Sequence, residues 1–217
     1  MDSGFILHGS PHSLPTYRVA LMLRLSRIGF SFRYISFQRN MHRTPEFRGL
    51  SRWGQVPVLE HLGRVLVQSA AILEYLADTL GAFGTTGVES RQQVREWLFW
   101  DADRLMPPLY SWYSVDLGRR NLLPLSFDPV LLAEFDRKGQ AALAALDGHL
   151  AGHRFLVGGT ATIADICCYA DIAFAKLINK SLADWPNVIA WADRVEDLPG
   201  FAAPFDLLAM QDSEITP

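Results

Sequence analysis

Two serines stand at the starts of predicted helices, where a side chain can hold a negatively charged group. Ser13 precedes a predicted helix over Pro15–Ile28, and Ser69 opens a second one over Ser69–Leu80. A serine in this position ordinarily caps the helix by accepting an amide hydrogen, which stabilises the helix by about 1 kcal/mol. The free N–H groups and the helix dipole also favour anions there. The sequence therefore offers two candidate anion sites, each with a simple helix cap as the alternative.

The elements around these serines alternate between strand and helix. Phe5–Leu7 and Phe32–Ile35 are apolar segments on either side of the first helix. Val56–Glu60 and Val65–Val67 flank a turn before the second helix and are predicted to be paired strands. The order β-α-β followed by β-β-α is that of a thioredoxin-like α/β domain.

A proline at the head of a predicted buried strand needs an explanation. Pro57 follows Val56 at the start of the third strand, although proline cannot donate to a ladder and usually stays at an edge, a first position or a bulge. In a thioredoxin-like domain the proline before the third strand is usually cis, which turns the N–H and C=O of Val56 away from the sheet. These groups then need partners, and an extended peptide-like ligand would pair with both. An ordinary strand-initiating proline is the alternative.

The rest of the chain is predicted to be helical. Residues 81–88, GAFGTTGV, are rich in glycine and threonine and are expected to form a linker. Four helical patterns follow, over residues 89–106, 128–151, 162–179 and 186–196. The predicted organisation is a thioredoxin-like domain over residues 1–80, the linker over 81–88, and an all-α domain over 89–217.

Composition and charge limit the possible partners and the compartment. The chain has 217 residues, 49% of them hydrophobic, and a formal net charge of -3. A basic face for nucleic acid or an anionic membrane is therefore not indicated. The two cysteines, Cys167 and Cys168, are adjacent, so an intrachain disulfide is disfavoured and a reducing compartment is expected. No signal peptide or membrane span is predicted, and we expect a soluble cytoplasmic protein.

Four segments of the sequence resemble the cytosolic glutathione transferases in both residues and spacing. They are HGSPHSLPTYRV (8–19), HRTPEF (42–47), GQVPVLE (54–60) and QSAAILEYL (68–76). The second and third are similar to the phi class and related bacterial enzymes. The fourth is similar to classes that carry glutamine where phi enzymes carry glutamate. The resemblance implies the glutathione transferase fold, a homodimer, and an enzyme that adds glutathione, as thiolate, to a small hydrophobic electrophile.

The resemblance to serine-type transferases makes Ser13 the implied catalytic residue. Its hydroxyl would donate to the sulfur of glutathione, and a hydrogen bond to a charged group is worth about 1.5–3 kcal/mol. The helix dipole adds about 0.3–1 kcal/mol. Together they would lower a thiol pKa of about 8.5 towards about 6–7. Ser10 and Tyr17 remain alternative contacts for the sulfur.

The resemblance also implies which residues bind glutathione. They are His42, Arg43, Gln55, Val56, Pro57, Gln68 and Ser69. Gln68 and Ser69 would hold the γ-glutamyl end, with the carboxylate at the helix N-terminus. His42 and Arg43 would meet the glycyl carboxylate, with Gln55 nearby, although two such residues can also belong to an ordinary solvated loop.

Further roles are implied for residues of the helical domain. Where glutamine replaces glutamate, some classes use an acidic residue of the neighbouring subunit to meet the ligand's amine, and Asp101 and Asp103 are the candidates. Tyr110, Trp112 and Tyr113 follow two prolines that are expected to break a long helix, and they would line the apolar site of the second substrate. Trp97 and Trp100 are expected in the core or an interface.

Other polar residues of the helical region are predicted to be structural. Thr162 and Asp165 form a capping box, in which Asp165 is a folding element common in the family and not a catalytic acid. The two cysteines are predicted to be small buried hydrophobes. His149 and His153 are four residues apart, but Gly152 interrupts the helix and no third ligand is near, so no metal site is predicted.

Two other functions fit the same fold. A glutathione- or hydrophobe-binding protein with little turnover is the main alternative, because bulky Trp53 and the Gln68 replacement depart from the family pattern. A thiol–disulfide reductase is disfavoured, because that chemistry needs a nucleophilic cysteine near the first helix. This chain has no cysteine before Cys167.

Overall fold

The computed structural model describes residues 4–120, 122 and 128–217. Its contacts divide the chain into two compact units. The first unit contains the residues up to Ala82 together with Leu198–Pro217, and the second contains Phe83–Asp197.

The first unit is a mixed sheet with helices. Its elements, in chain order, are β1 (Phe5–Gly9), α1 (Leu14–Leu25), β2 (Phe30–Tyr34), α2 (Pro45–Leu50), β3 (Val58–His61), β4 (Arg64–Val67), α3 (Ser69–Leu80), α9 (Pro204–Leu207) and β5 (Ser213–Ile215). The sheet order is β4-β3-β1-β2-β5, with β1 and β2 parallel and the other pairs antiparallel. Phe5 and Leu7 alternate into the core from β1, and most of α1 is buried.

The register of three strands brings the ends of several loops together. His8 pairs with Val58 across β1 and β3, and Val58 pairs with Val67 across β3 and β4. The segment leading into α1, the residues before β3 and the start of α3 therefore leave the sheet at one end. Gly9 is required at this end, because a Cβ there would lie 2.1 Å from Cγ2 of Thr16.

Residues 198–217 correct the predicted domain boundary, which placed them in the all-α domain. β5 pairs antiparallel with β2, with Phe30 opposite Ile215. Glu214 accepts hydrogen bonds from Oγ of Ser31 at 2.6 Å and from Nη1 of Arg33 at 3.0 Å. A three-residue strand is too short to show an alternating pattern in the sequence, so this pairing was not predicted.

The end of α1 also differs from the prediction. The helix was expected to continue to Ile28, but it ends at Leu25. Arg27 has a φ of 57°, in the left-handed region, and this reversal of the chain ends the helix before β2 begins.

The second unit is helical over the described residues. Its elements are α4 (Val88–Trp100), α5 (Met106–Arg119), α6 (Pro129–Leu150), α7 (Ile163–Leu177) and α8 (Pro186–Glu196). α7 is the central helix, since every residue from Ile163 to Ala175 is buried.

The predicted helix break near Pro107 is wrong. A π-helical turn, Asp101–Leu105, joins α4 to α5, so helical structure continues from Val88 to Arg119. The two prolines lie in the first turn of α5, and the wider turn before them accommodates the missing backbone donors. None of the described helices combines the length and hydropathy needed to cross a lipid bilayer.

Candidate functional site

Ser13 is the N-cap residue of α1. Its Oγ accepts a hydrogen bond from the backbone N–H of Thr16 at 3.2 Å, and the residue is 3% exposed. No group among the described residues accepts the hydroxyl hydrogen of Ser13. A hydroxyl has one hydrogen and two lone pairs, so the cap leaves the hydrogen available for another acceptor.

Ser10 and Tyr17, the two alternative contacts for the glutathione sulfur, differ in the hydrogen bonds that they already make. The phenol of Tyr17 is buried and donates to the carbonyl oxygen of Ala202 at 2.9 Å. Ser10 lies in the turn before α1, where its Oγ accepts from the N–H of His12 at 3.3 Å. The Tyr17 hydroxyl hydrogen is therefore already used within the first unit.

The peptide bond between Val56 and Pro57 is cis, as expected from the sequence. No hydrogen bond within the described residues involves the backbone of Val56. The preceding loop is fixed by Ser51, whose Oγ donates to the carbonyl of Gln55 at 2.8 Å and accepts from its N–H at 3.0 Å. Val56 therefore presents an unpaired donor and acceptor from a well-anchored loop.

Gln68, and not Ser69, is the N-cap residue of α3. Its φ is 70° and its ψ is 109°, and its side chain makes no capping bond. Ser69 is the first helical residue, so the simple capping role considered for it does not apply. A non-glycine residue with a positive φ costs free energy, and such residues cluster at active sites and ligand-binding positions as well as in turns.

The side chains of Gln55 and Gln68 meet at the entrance to α3. Nε2 of Gln68 donates to Oε1 of Gln55 at 3.3 Å. The loop before β3 and the start of α3 are thereby connected through two of the predicted binding residues.

His42 and Arg43 lie in a short 3₁₀ turn, Met41–Arg43. A Cβ on Gly54 would lie 2.9 Å from the carbonyl oxygen of His42, so this turn packs directly against the loop that carries Gln55. The His42 ring meets Phe37 edge to face at 5.3 Å, and its buried Nδ1 has no hydrogen-bond partner among the described residues. Burial, and then the charge of Arg43, lower the pKa of His42.

The three aromatic residues predicted for the second substrate do not lie together. The rings of Tyr110 and Tyr113 are neighbours at 6.4 Å, and Tyr113 packs on Phe174 at 4.8 Å. Burial raises the pKa of both phenols. Trp112 lies apart from them, against Gly139 of α6 and 4.0 Å below the ammonium group of Lys180.

The two candidate aspartates have opposite environments. Asp101 is fully buried and accepts a hydrogen bond from Sγ of Cys167 at 3.5 Å. A carboxylate held inside the second unit cannot reach a neighbouring subunit, so Asp101 is excluded from that role. Asp103 is exposed and pairs with Nε of Arg104 at 2.7 Å.

Asp165 organises the start of α7 through four hydrogen bonds. The predicted capping box with Thr162 is confirmed. Oδ2 accepts from N–H and Oγ1 of Thr162, at 2.8 and 3.0 Å, and Oδ1 accepts from the N–H of Leu156 and Nε1 of Trp191, both at 2.9 Å. Burial raises the pKa of Asp165, and the hydrogen bonds oppose this. Both cysteines are buried, as predicted.

Comparison with known proteins identifies the family. The models for the glutathione S-transferase N-terminal and C-terminal domains match residues 12–79 and 129–194. The glutathione S-transferase stcT of Emericella nidulans is 32% identical over 160 residues, which cover 72% of this chain and 71% of that protein.

Solved structures agree with this assignment. A possible glutathione S-transferase from Rhodopseudomonas palustris is 31% identical with a TM-score of 0.81, over 93% of this chain and 97% of that one. A glutathione S-transferase from Pseudomonas fluorescens is 27% identical with a TM-score of 0.83, over 94% of this chain and all (100%) of the other. The predicted fold, a thioredoxin-like α/β domain with an all-α domain, is confirmed. The chain therefore belongs to the glutathione S-transferase family and is an enzyme that transfers glutathione.

Proposed function

We propose that this enzyme activates the glutathione thiol as a thiolate through Ser13 and adds it to a small hydrophobic electrophile. The observation that carries the proposal is the uncommitted hydroxyl hydrogen of Ser13 at the N-terminus of α1. The Ser13 hydroxyl would donate this hydrogen to the thiolate sulfur, and the N-terminus of the helix would stabilise the negative charge on the sulfur. The proposal extends the family assignment to a serine-type enzyme.

Glutathione would lie across the loops that meet at one end of the sheet. The cysteinyl backbone would pair with the free N–H and C=O of Val56, as an added strand does, with Pro57 shaping that edge. The γ-glutamyl carboxylate would bind at Ser69 and the N-terminus of α3, where Gln68 contributes its amide. His42, Arg43 and Gln55 would hold the glycyl carboxylate. The contacts of His42 with Gly54 and of Gln55 with Gln68 support a common surface.

The chemical step follows from the thiolate. The thiol releases its proton to solvent, and the sulfur lone pair then forms a bond to the electrophilic carbon. With an aryl halide, the carbon–halogen bond breaks and halide leaves with its electron pair. The chain lowers the thiol pKa and holds the nucleophile in place, and both effects reduce the barrier.

The electrophile would contact aromatic side chains of the second unit. Tyr110 and Tyr113 are the proposed pair, because their rings are neighbours at 6.4 Å. Trp112 was predicted with them, but its packing on α6 gives it a structural explanation.

Assembly and location complete the proposal. A homodimer is proposed from the family resemblance, in which exposed Asp103 is the remaining candidate to reach the partner's glutathione. The two buried cysteines form no disulfide, which is consistent with a reducing compartment such as the cytoplasm.

Steady-state kinetics with a model aryl halide test the proposal. Ser13→Ala should lower kcat/KM about 10- to 100-fold, because it removes a hydrogen bond to a charged atom. Ser10→Ala is the matched control and should change kcat/KM little. The affinity for S-methylglutathione, which has no thiol, should be similar in both variants. A large loss in Ser10→Ala with full activity in Ser13→Ala would contradict the assignment. Binding of glutathione by the wild type without any conjugation would favour the binding-protein alternative.

A further inference from the structure

A cavity of about 410 Å³ is lined by residues of the second unit, none of which is assigned to the reaction. It is formed by α4, the end of α6 and the segment that follows α6. The residues that give it chemical character are Glu96, Trp97, Trp100, His149 and His153. The volume is in the range of small-molecule sites, about 300–1,000 Å³.

The aromatic walls of this cavity meet at steep angles. The rings of Trp97 and Trp100 lie 5.1 Å apart with an interplanar angle of 79°. The rings of Trp97 and His149 lie 4.7 Å apart at 61°. Both indoles border the cavity, and the face of an indole ring attracts cations more strongly than the face of tyrosine or phenylalanine.

The two histidines contribute hydrogen-bond acceptors. Nε2 of His149 lies 3.1 Å from the carbonyl oxygen of Leu156, and Nδ1 of His153 lies 2.7 Å from that of His149. Because carbonyl oxygens only accept, these nitrogens carry the ring hydrogens. In the neutral rings the opposite nitrogens are then acceptors. Burial lowers the pKa of His149, which favours its neutral form.

Among its described residues, the cavity lining carries one carboxylate, on the exposed side chain of Glu96. None of the described lining residues is lysine or arginine. Within the described residues, the Glu96 carboxylate accepts one hydrogen bond, from the neutral amide Nε2 of Gln92 at 3.5 Å. In the part of the chain that the structure describes, no lysine or arginine forms an ion pair with Glu96.

The geometry of the histidines disfavours a metal ion. Their rings stack at 4.1 Å with an interplanar angle of only 3°. Lone pairs lie in the ring planes, so those of two parallel rings cannot converge on one ion at about 2.0–2.1 Å. The cavity is better suited to a larger cation, which can contact the aromatic rings and the ring nitrogens without precise coordination geometry.

We propose that this cavity binds an organic ammonium ion. The positive charge would contact the indole rings of Trp97 and Trp100 on one side and the carboxylate of Glu96 on the other. The ligand class follows from the combination of indole rings, acceptor nitrogens and one carboxylate that forms no ion pair among the described residues. Its residues belong to the second unit, whereas the residues proposed to bind glutathione belong to the first.

Titration calorimetry of the full-length protein tests the proposal with two probes of the same shape. Choline carries the charge, and 3,3-dimethylbutan-1-ol is its neutral isostere. Choline should bind about 5- to 30-fold more tightly, as expected for a cation between aromatic faces and a carboxylate. Saturating glutathione should leave the choline affinity unchanged.

Matched variants locate the site. Glu96→Gln should weaken choline binding about 2- to 5-fold, whereas Glu89→Gln, which alters an exposed carboxylate of the same helix outside the cavity lining, should not. Trp97→Leu should weaken it further than Trp97→Phe, which keeps an aromatic face.

Four results would contradict the proposal that this cavity binds an organic ammonium ion. They are equal affinity for the two probes, no measurable choline binding, the same effect from both glutamate variants, and competition with glutathione. Each leaves the kinetic test of Ser13 unaffected.

Discussion

The hydroxyl of Ser13 uses different atoms for its structural and its proposed catalytic role. One lone pair accepts the N–H of Thr16, and the hydrogen remains for the sulfur of glutathione. Both roles require a short hydroxyl side chain at the N-cap of α1. For this reason the sequence alone leaves the two interpretations open, while the hydrogen bonding shows that they are compatible.

Asp165 illustrates a buried residue whose function is to hold the fold. Each carboxylate oxygen accepts two hydrogen bonds, so Asp165→Asn would replace one acceptor by an amide donor that faces two other donors. We expect the free energy of unfolding to fall by about 2–5 kcal/mol, measured by urea denaturation. Asp103→Asn is the exposed control and should change it by less than about 1 kcal/mol. Equal losses in the two variants would contradict the structural role.

At the scale of elements, the contact between α5 and α6 depends on a small residue. A Cβ on Gly139 would lie 2.4 Å from Cζ2 of Trp112, whereas nothing lies within 4 Å of a Cβ on Gly148 of the same helix. Gly139→Ala should therefore destabilise the protein by about 1–3 kcal/mol. Gly148→Ala should stabilise it by about 0.5–1 kcal/mol through helix propensity. Thermal unfolding measures both, and a shift of the same sign in the two variants would refute this packing.

Element types were more predictable from the sequence than element ends and partners. The strand–helix order of the first unit and the α7 capping box follow from local patterns that the structure confirms. The end of α1 at Leu25 and the pairing of β5 with β2 depend on a backbone reversal and on contacts distant in the chain. The position of Trp112 against Gly139 is equally non-local, so spacing along the sequence could not separate it from Tyr110 and Tyr113.

At the scale of the whole molecule, we expect three histidines to make the free energy of unfolding depend on pH. Burial is the largest cause of the lowered pKa of His42, His61 and His149. A nearby arginine lowers the pKa of the first two further, whereas the hydrogen bond to Leu156 opposes the shift at His149. Their pKa in the folded state is below the unfolded value of about 6.5, so the unfolded state binds more protons as the pH falls. The stabilising effect of these groups is present above about pH 6.5 and is lost below it.

Urea midpoints at pH 7.5 and pH 5.5 measure this dependence. The midpoint should be lower at the acidic pH, and His61→Gln should reduce the difference because it removes one of the three titrations. An acid shift that is unchanged in His61→Gln would show that this ring, which stacks on Phe5 and bonds to Tyr75, does not contribute.

The proposed glutathione site depends on the whole sheet. The alignment of His8, Val58 and Val67 brings the start of α1, the loop before β3 and the start of α3 to one end. The family motifs identified these segments in the sequence. The conformation of Gln68 and the contact between the Gly54 loop and His42 are three-dimensional features that no motif contains.

An ultraviolet difference titration of bound glutathione, in the wild type and in Ser13→Ala, tests the central claim most directly. Thiolate absorbs where thiol does not, so the titration reports the pKa of the bound thiol. The account predicts a pKa well below about 8.5 in the wild type and an increase of about 1–2 units in Ser13→Ala. The same low pKa in both proteins would contradict it and would leave Ser13 as a helix cap alone.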